Sequence, residues 1–271
     1  MKPRRPAVVL ATVLLVTVLP TPSMEAELDQ RAVAQHLLGD NVAERSKALG
    51  VAESVGPENA SPELRAALIA LLERGNRIVA EARRRKVAVA TLENPEFIAR
   101  VARVVASLKD PQAIPALAGA LDAGSTAVAD VLANFGEQAA PTVLAVVMSP
   151  QSTDYAVDEG MIALRVMVEE AGTRPLSAGT LEEIRRVAEH YLTALQRSPT
   201  IGATLRRAID LAVVLNDAGL RGIVEALASD PNEVIARGVT DPGDIARTQK
   251  WAADRLAGVP PLPGVPPLRR R

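Results

Sequence analysis

The stretch "VLANFGEQAAPTVLAVVM", Val131 to Met148, sets two apolar segments on either side of Gly136, with Pro141 just inside the second. Glycine adopts the left-handed backbone that ends a helix, and proline is tolerated in a first helical turn, where an N–H would be unpaired anyway. The stretch therefore predicts two helices rather than one. Gly136 ends the first so that the second folds back beside it.

The same punctuation runs along the chain. Ser61-Pro62, Asn94-Pro95, Asp110-Pro111, Asp230-Pro231 and Asp241-Pro242 each place a capping side chain directly before a proline. The side-chain oxygen accepts an orphan N–H of the first turn, and the proline supplies the helical φ. Gly56, Gly124, Gly136, Gly172 and Gly258 follow apolar-periodic segments and read as stops. Thr180 with Glu183, in "TLEE", reads as a capping box. The result is a succession of about ten to twelve helices of roughly 10 to 20 residues. Only 2% of the chain is aromatic although 48% is hydrophobic. Ala, Val and Leu carry that apolar mass without the alternation of strands, so the fold class is all-α.

The helices also resemble one another. Val101, Val104, Val105, Leu108, Leu117 and Leu121 fall on Ala48, Val51, Ala52, Val55, Leu64 and Leu68 at a constant offset of 53. Leu117 and Leu121 meet Val143 and Val147 at an offset of 26, as Pro115 meets Pro141, and they meet Ile223 and Leu227 at 106. Such periods mark helix pairs that bury their apolar faces against their neighbours. Leu117 and Leu121 are then core positions, and Glu137, at the corner, is a surface residue whose removal costs little.

The pattern of an apolar helix, a Gly or Asp corner and then "xxAxPxLxxxL", as in "ANFGEQAAPTVLAVV" and "SLKDPQAIPALAGAL", resembles short HEAT-type repeats of the kind found in bilin-lyase-like proteins. The resemblance is good over residues 48–148 and partial over 205–230. Over 153–200 the period is interrupted. It implies a right-handed α-solenoid of stacked antiparallel helix pairs, a HEAT- or armadillo-like scaffold that binds a partner along one face. It carries over no catalytic residue.

The N-terminus points to a compartment. Lys2, Arg4 and Arg5 precede a run of thirteen uncharged apolar residues, Ala7 to Leu19, and then "PTPSMEAELD". That order reads as a secretory signal peptide over residues 1–23, cleaved before Met24, and the run is short for a membrane span. The alternative is an uncleaved anchor over residues 7–19. A solenoid domain over 24–257 and a tail over 258–271 complete the organisation. Without residues 1–23 the chain has 28 basic against 32 acidic residues, and its acidic body repels nucleic acid.

Candidate chemistry is sparse. There is no cysteine, so disulfides, thiolate catalysis and cysteine metal sites are excluded. His36 and His190 are the only histidines and form no metal-binding pair. They read as solvated helix-face residues. Glu169-Glu170 and Glu182-Glu183 are adjacent and so do not share a helix face, and the second pair reads as a first-turn feature. No nucleophile motif or phosphate-cradling loop is present. No catalytic residue, cofactor or metal is expected. Two features remain. Arg83, Arg84, Arg85 and Lys86 form a run of four positive charges, which reads either as a solvated helix end or as a patch for an anionic partner. The tail "GVPPLPGVPPLRRR" is a tandem hexapeptide that enforces polyproline II and reads as a spacer.

These features predict an exported, non-enzymatic, monomeric protein-interaction scaffold in the periplasm or outside the cell, with another, acidic protein as partner and no nucleic acid. Two alternatives stay open. One is a lyase-like enzyme or chaperone holding a small ligand in the concave face. The other is a membrane-tethered structural protein of the envelope, the membrane being a partner only if the N-terminal segment is uncleaved.

Overall fold

A computed structural model describes residues 24–85, 95–123, 126–195 and 200–258. The leader-like segment 1–23 and the tail from 259 onward lie outside the described residues, as do Asn94, Gly124 and Lys86. The described residues form α-helices and short 3₁₀ turns, without a β-strand among them.

In chain order the helices are α1 (Met24–Leu38), α2 (Val42–Val55), α3 (Pro62–Arg84), α4 (Pro95–Ser107), α5 (Ile114–Gly119), α6 (Thr126–Ala133) and α7 (Ala140–Met148). They continue as α8 (Asp154–Glu169), α9 (Ala178–Thr193), α10 (Ile201–Leu215), α11 (Ala218–Ser229), α12 (Pro231–Ala236) and α13 (Pro242–Gly258). Single 3₁₀ turns at Pro111–Ala113, Ala120–Ala123 and Gly136–Gln138 link the shortest of them. No helix among the described residues is long and apolar enough to cross a membrane.

Several start signals act as expected. Ser61 accepts from the Leu64 N–H at 3.2 Å, Asp110 from Gln112 at 2.9 Å, Asp230 from Asn232 at 2.8 Å and Asp241 from Asp244 at 2.8 Å. The start of α9 differs. Its cap is Ser177, which accepts from Thr180 N–H at 3.1 Å, so Thr180 is the third residue of the helix rather than its cap, and Glu182 and Glu183 lie past the first turn. Among the stops, Gly56 and Gly136 have φ of 75° and 53°. Gly172 is not left-handed, and Gly258 is the last helical residue.

Packing follows chain order. Each odd-numbered helix rests on the next odd-numbered one from α1 to α13, while α2, α4, α6, α8 and α10 stack in the same way and α10 ends against α13. Within each step the odd helix also touches the even helix that follows it. One expectation is revised: α7 does not chiefly fold back on α6. Both lie against α8, α6 with α4 on its other side and α7 with α9. This puts α8 in the middle, and ten of its sixteen residues are buried.

One hydrophobic cluster runs through the stack from Val33 to Ala252. Leu64, Leu117 and Val143, equivalent in the repeat alignment, are all fully buried, as are Leu121 and Val147. The match fails at its edges, because Val51 is exposed where Val104 is buried, and Ile223 is half-buried beside the fully buried Val224. Small residues let the helices approach closely. A Cβ on Gly160 would lie 2.5 Å from Val147 Cγ2, and one on Gly75 2.1 Å from Ile98 Cδ1. An alanine at either position forces its neighbour to move.

Helix C-termini leave carbonyls without intrahelical partners, and here the neighbouring units supply donors. The Tyr191 hydroxyl donates to Val147 O at 2.7 Å at the end of α7, Arg237 Nε to Leu192 O at 3.0 Å in the last turn of α9, and Arg65 Nη1 to Leu108 O at 3.2 Å beyond α4. Each helix end is completed by a side chain some 45 residues away, at separations of 44, 45 and 43.

Candidate functional site: a groove across successive helix ends

The basic run at the end of α3 is partly built into the fold. Arg83 Nε lies 3.5 Å from Asp122 Oδ1, and its guanidinium sits 3.9 Å from the centre of the Tyr155 ring, a cation–π contact. The Thr153 hydroxyl donates to the same Asp122 carboxylate. The cluster therefore ties the end of α3 to the start of α8. Arg85 pairs with Glu81, one turn back on its own helix. The side chain of Arg84 and the whole of Lys86 lie outside the described residues. Of the four charges, Arg83 and Arg85 thus have intramolecular partners.

A second basic feature was invisible as a run. An open groove of about 880 Å³ crosses the C-terminal ends of α4 and α6 and the turn after α8. Ala106, Val131 and Phe135, half-buried against the core, form its apolar lining. Arg103 and Lys109 come from the α4 end and Arg174 from the turn after α8. Lys109 and Gly136 end their helices with nearly the same left-handed backbone, φ 51° and 53°. A lysine in that conformation costs about 1 kcal/mol relative to glycine, because its Cβ crowds the backbone.

The charges in the groove are not equally free. Arg174 donates to Asn134 Oδ1 at 2.8 Å and pairs with Glu170 at 2.9 Å. Glu137 accepts from the Thr180 hydroxyl at 2.7 Å and from Ser177 N–H at 2.9 Å, which fastens the start of α9 to the α6 corner. The Thr180 bond first, and the Ser177 backbone bond second, hold its carboxyl below the usual carboxylate range. Arg103 and Lys109 are both exposed, and among the described residues neither side chain makes a hydrogen bond or an ion pair. Arg103 acts on Glu53 only at a distance, that carboxyl being held low chiefly by its hydrogen bond with Arg100.

The interior holds one charge of a different kind. Glu159, in the middle of α8, is 9% exposed, and its Oε2 has no hydrogen-bond partner. Desolvation pushes its carboxyl up to about 6; Arg207 of α10 opposes the rise, and Asp158 and Asp130 add to it. Asp158 is raised by burial as well, against a 2.8 Å hydrogen bond donated by the Thr204 hydroxyl.

The remaining sequence candidates are dispersed. His36 Nδ1 lies 3.2 Å from Glu44 at the surface, and His190 is exposed with its ring edge-on to Tyr191 at 5.0 Å. Glu169, Glu170, Glu182 and Glu183 each pair with an arginine three or four residues along. Among the described residues no three His, Asp or Glu side chains gather as a metal would require. Comparison of the chain with protein-family models, with curated proteins and with solved structures finds no match.

Proposed function

We propose that the protein is an interaction scaffold: a right-handed, HEAT-like solenoid of antiparallel helix pairs that holds a protein partner along the edge where its helix ends line up. The observation that carries this reading is the groove itself, which is shared by the ends of α4 and α6 and the turn after α8. A stack of this kind aligns equivalent faces into one continuous surface, and the stacking of each helix from α1 to α9 on the second one after it supports the solenoid. An open groove with an apolar floor and cations at its edge suits a polypeptide better than an enclosed small molecule.

The scaffold acts as an exported monomer, its signal peptide being residues 1–23. The basic start and the apolar run of thirteen residues support export. The acidic balance of the rest argues against nucleic acid as partner. A photo-crosslinking residue at Gln138, in the groove, tests the reading against one at Glu225, an exposed position of α11. In the native host the first is expected to trap one discrete protein and the second none. Equal trapping at both positions contradicts the proposal.

A further inference from the structure

We propose that the groove is the docking site of the chain's own proline-rich segment, residues 259–268, which lies along the groove floor as a polyproline II strand until a partner displaces it. The docking stands on the chemistry of the groove and on the direction of α13. The displacement rests on the scaffold reading, since a folded partner covers the rim as well as the floor.

Three observations carry it. First, the groove is close to neutral. Arg103, Lys109 and Arg174 are balanced by the carboxylates of Glu137 and Glu170 and by the negative ends of α4 and α6, about half a unit each. The apolar lining of Ala106, Val131, Phe135 and Pro175 therefore decides what fits. The segment "VPPLPGVPPL", Val259 to Leu268, has five prolines and no charged or polar side chain. Such a strand docks on an aromatic-lined groove at low entropic cost, because its polyproline II form is set beforehand.

Second, the groove has spare donors and few spare acceptors. The side chains of Arg103, Lys109 and Gln138 are exposed and make no hydrogen bond among the described residues. Glu137 is already engaged by Thr180 and Ser177. At the helix ends, the Val104 carbonyl accepts from the Ser107 hydroxyl, Leu108 O from Arg65 and Leu132 O from the Phe135 N–H. A polyproline II strand has the opposite balance. Its prolines lack an N–H, and its carbonyls make no internal hydrogen bonds, so they accept from the free donors.

Third, α13 delivers the segment to the edge where the groove lies. Arg206, near the start of α10, is 3.7 Å from Asp244 near the start of α13, and Asp210 further along meets Trp251 at 2.9 Å, so the two helices run the same way. The hydroxyls of Thr200 and Thr204 donate at 2.8 Å to Asp154 and Asp158, so α8 runs with them and ends level with α10. Arg174, in the turn after α8, reaches Asn134 beyond the end of α6 at 2.8 Å. The C-terminal ends of α13, α10, α8 and α6 thus share one edge. Three helix-to-helix steps from α13 to α6 amount to roughly 24 to 30 Å. Ten residues of polyproline II after Gly258 span about 31 Å.

The test is disulfide trapping in the purified whole chain, which has no cysteine of its own. Gln138→Cys with Gly264→Cys places one thiol in the groove and one in the segment. Glu225→Cys with Gly264→Cys is the control, on an exposed position of α11, which packs beside α13. Equilibration with glutathione at micromolar protein gives the effective concentration of each thiol pair. The groove pair is expected to exceed the control about tenfold. Replacing Pro260, Pro261, Pro266 and Pro267 with serine, which leaves the helices untouched, brings it down to the control value. The trapping changes little between ionic strengths of about 0.01 M and 0.15 M, where the Debye length is about 30 Å and 8 Å, because the contact is uncharged. Equal trapping of the two pairs, no effect of the proline replacements, or a disulfide-linked dimer as the main product overturns the inference. If that happens while the crosslinker at Gln138 still traps one protein in the host, the docking is wrong and the scaffold reading stands. Docking without a trapped protein in the host leaves the contact and removes the scaffold.

Discussion

Glu159→Gln tests the packing around α8 through a charge that the fold holds at a loss. The carboxyl is 9% exposed, its Oε2 has no hydrogen-bond partner, and its pKa rises from 4.5 to about 6. Because the folded value lies above the unfolded one, the folded state holds the proton more tightly. Stability is then greatest below pH 4.5, falls as pH rises through 4.5 to 6, and levels off above. A shift of about 1.5 units corresponds to about 2 kcal/mol of lost stability at pH 7.5 and to only a few tenths at pH 4. Glutamine keeps the shape and removes the charge, while Asp130, Asp158 and Arg207 remain. Urea unfolding of both proteins at pH 4 and pH 7.5 is therefore expected to show the variant gaining about 2 kcal/mol relative to the native chain between the two conditions. A stability difference that does not change with pH, or a variant less stable at pH 7.5 than at pH 4 relative to the native chain, refutes the burial of this carboxylate among α6, α8 and α10.

Asp210 accepts from Trp251 Nε1 at 2.9 Å and pairs with Arg255, whose Nε lies 2.7 Å away, which docks α13 on α10. Asp210→Ala should cost about 2 kcal/mol, because a buried acceptor of charge-assisted bonds is lost; Trp251 is the only tryptophan, so its fluorescence reports the loosening directly. Glu137→Ala should cost about 1 kcal/mol at pH 7, since the carboxylate secures the start of α9. The lowered pKa of Glu137 means that this contribution disappears as pH falls through the folded value, so urea midpoints of variant and native chain should converge in acid. Leu117→Ala and Leu121→Ala, each fully buried, should cost about 2 to 5 kcal/mol in urea unfolding.

Much of the helical architecture was legible because its signals are local. A cap such as Ser61 or Asp230 and the proline after it act within one turn, so four such starts are where the residues place them. The start of α9 was misplaced by three residues because Ser177 and Thr180 are both capping hydroxyls. Glu137, forty residues earlier, bonds to both and fixes the choice. That same bond makes Glu137 a tie rather than a dispensable corner residue. The Lys109 corner carried no signal, because nothing local marks a lysine for a left-handed backbone.

The candidate site was legible only in part, for the same reason. Four adjacent cations at Arg83 to Lys86 stand out in a linear reading, yet Arg83 is engaged by Asp122 and Tyr155, which are distant in sequence. The groove draws on Arg103, Val131 and Arg174, far apart in the chain, and only the stacking of α4, α6 and α8 brings them together. Nothing local in "YAVDEGM" marks Glu159 for burial, which follows from the helices packed around α8.

The placement of the partner is tested most directly by amide hydrogen exchange over the whole chain, alone and in complex with the protein trapped at Gln138. Protection is expected at residues 103–109, 131–138 and 170–175, the three segments that converge on the groove, with the exchange of α1, α2 and α11 to α13 unchanged. Protection centred on the end of α3 or on α13, with the groove segments exchanging as in the free protein, contradicts the account.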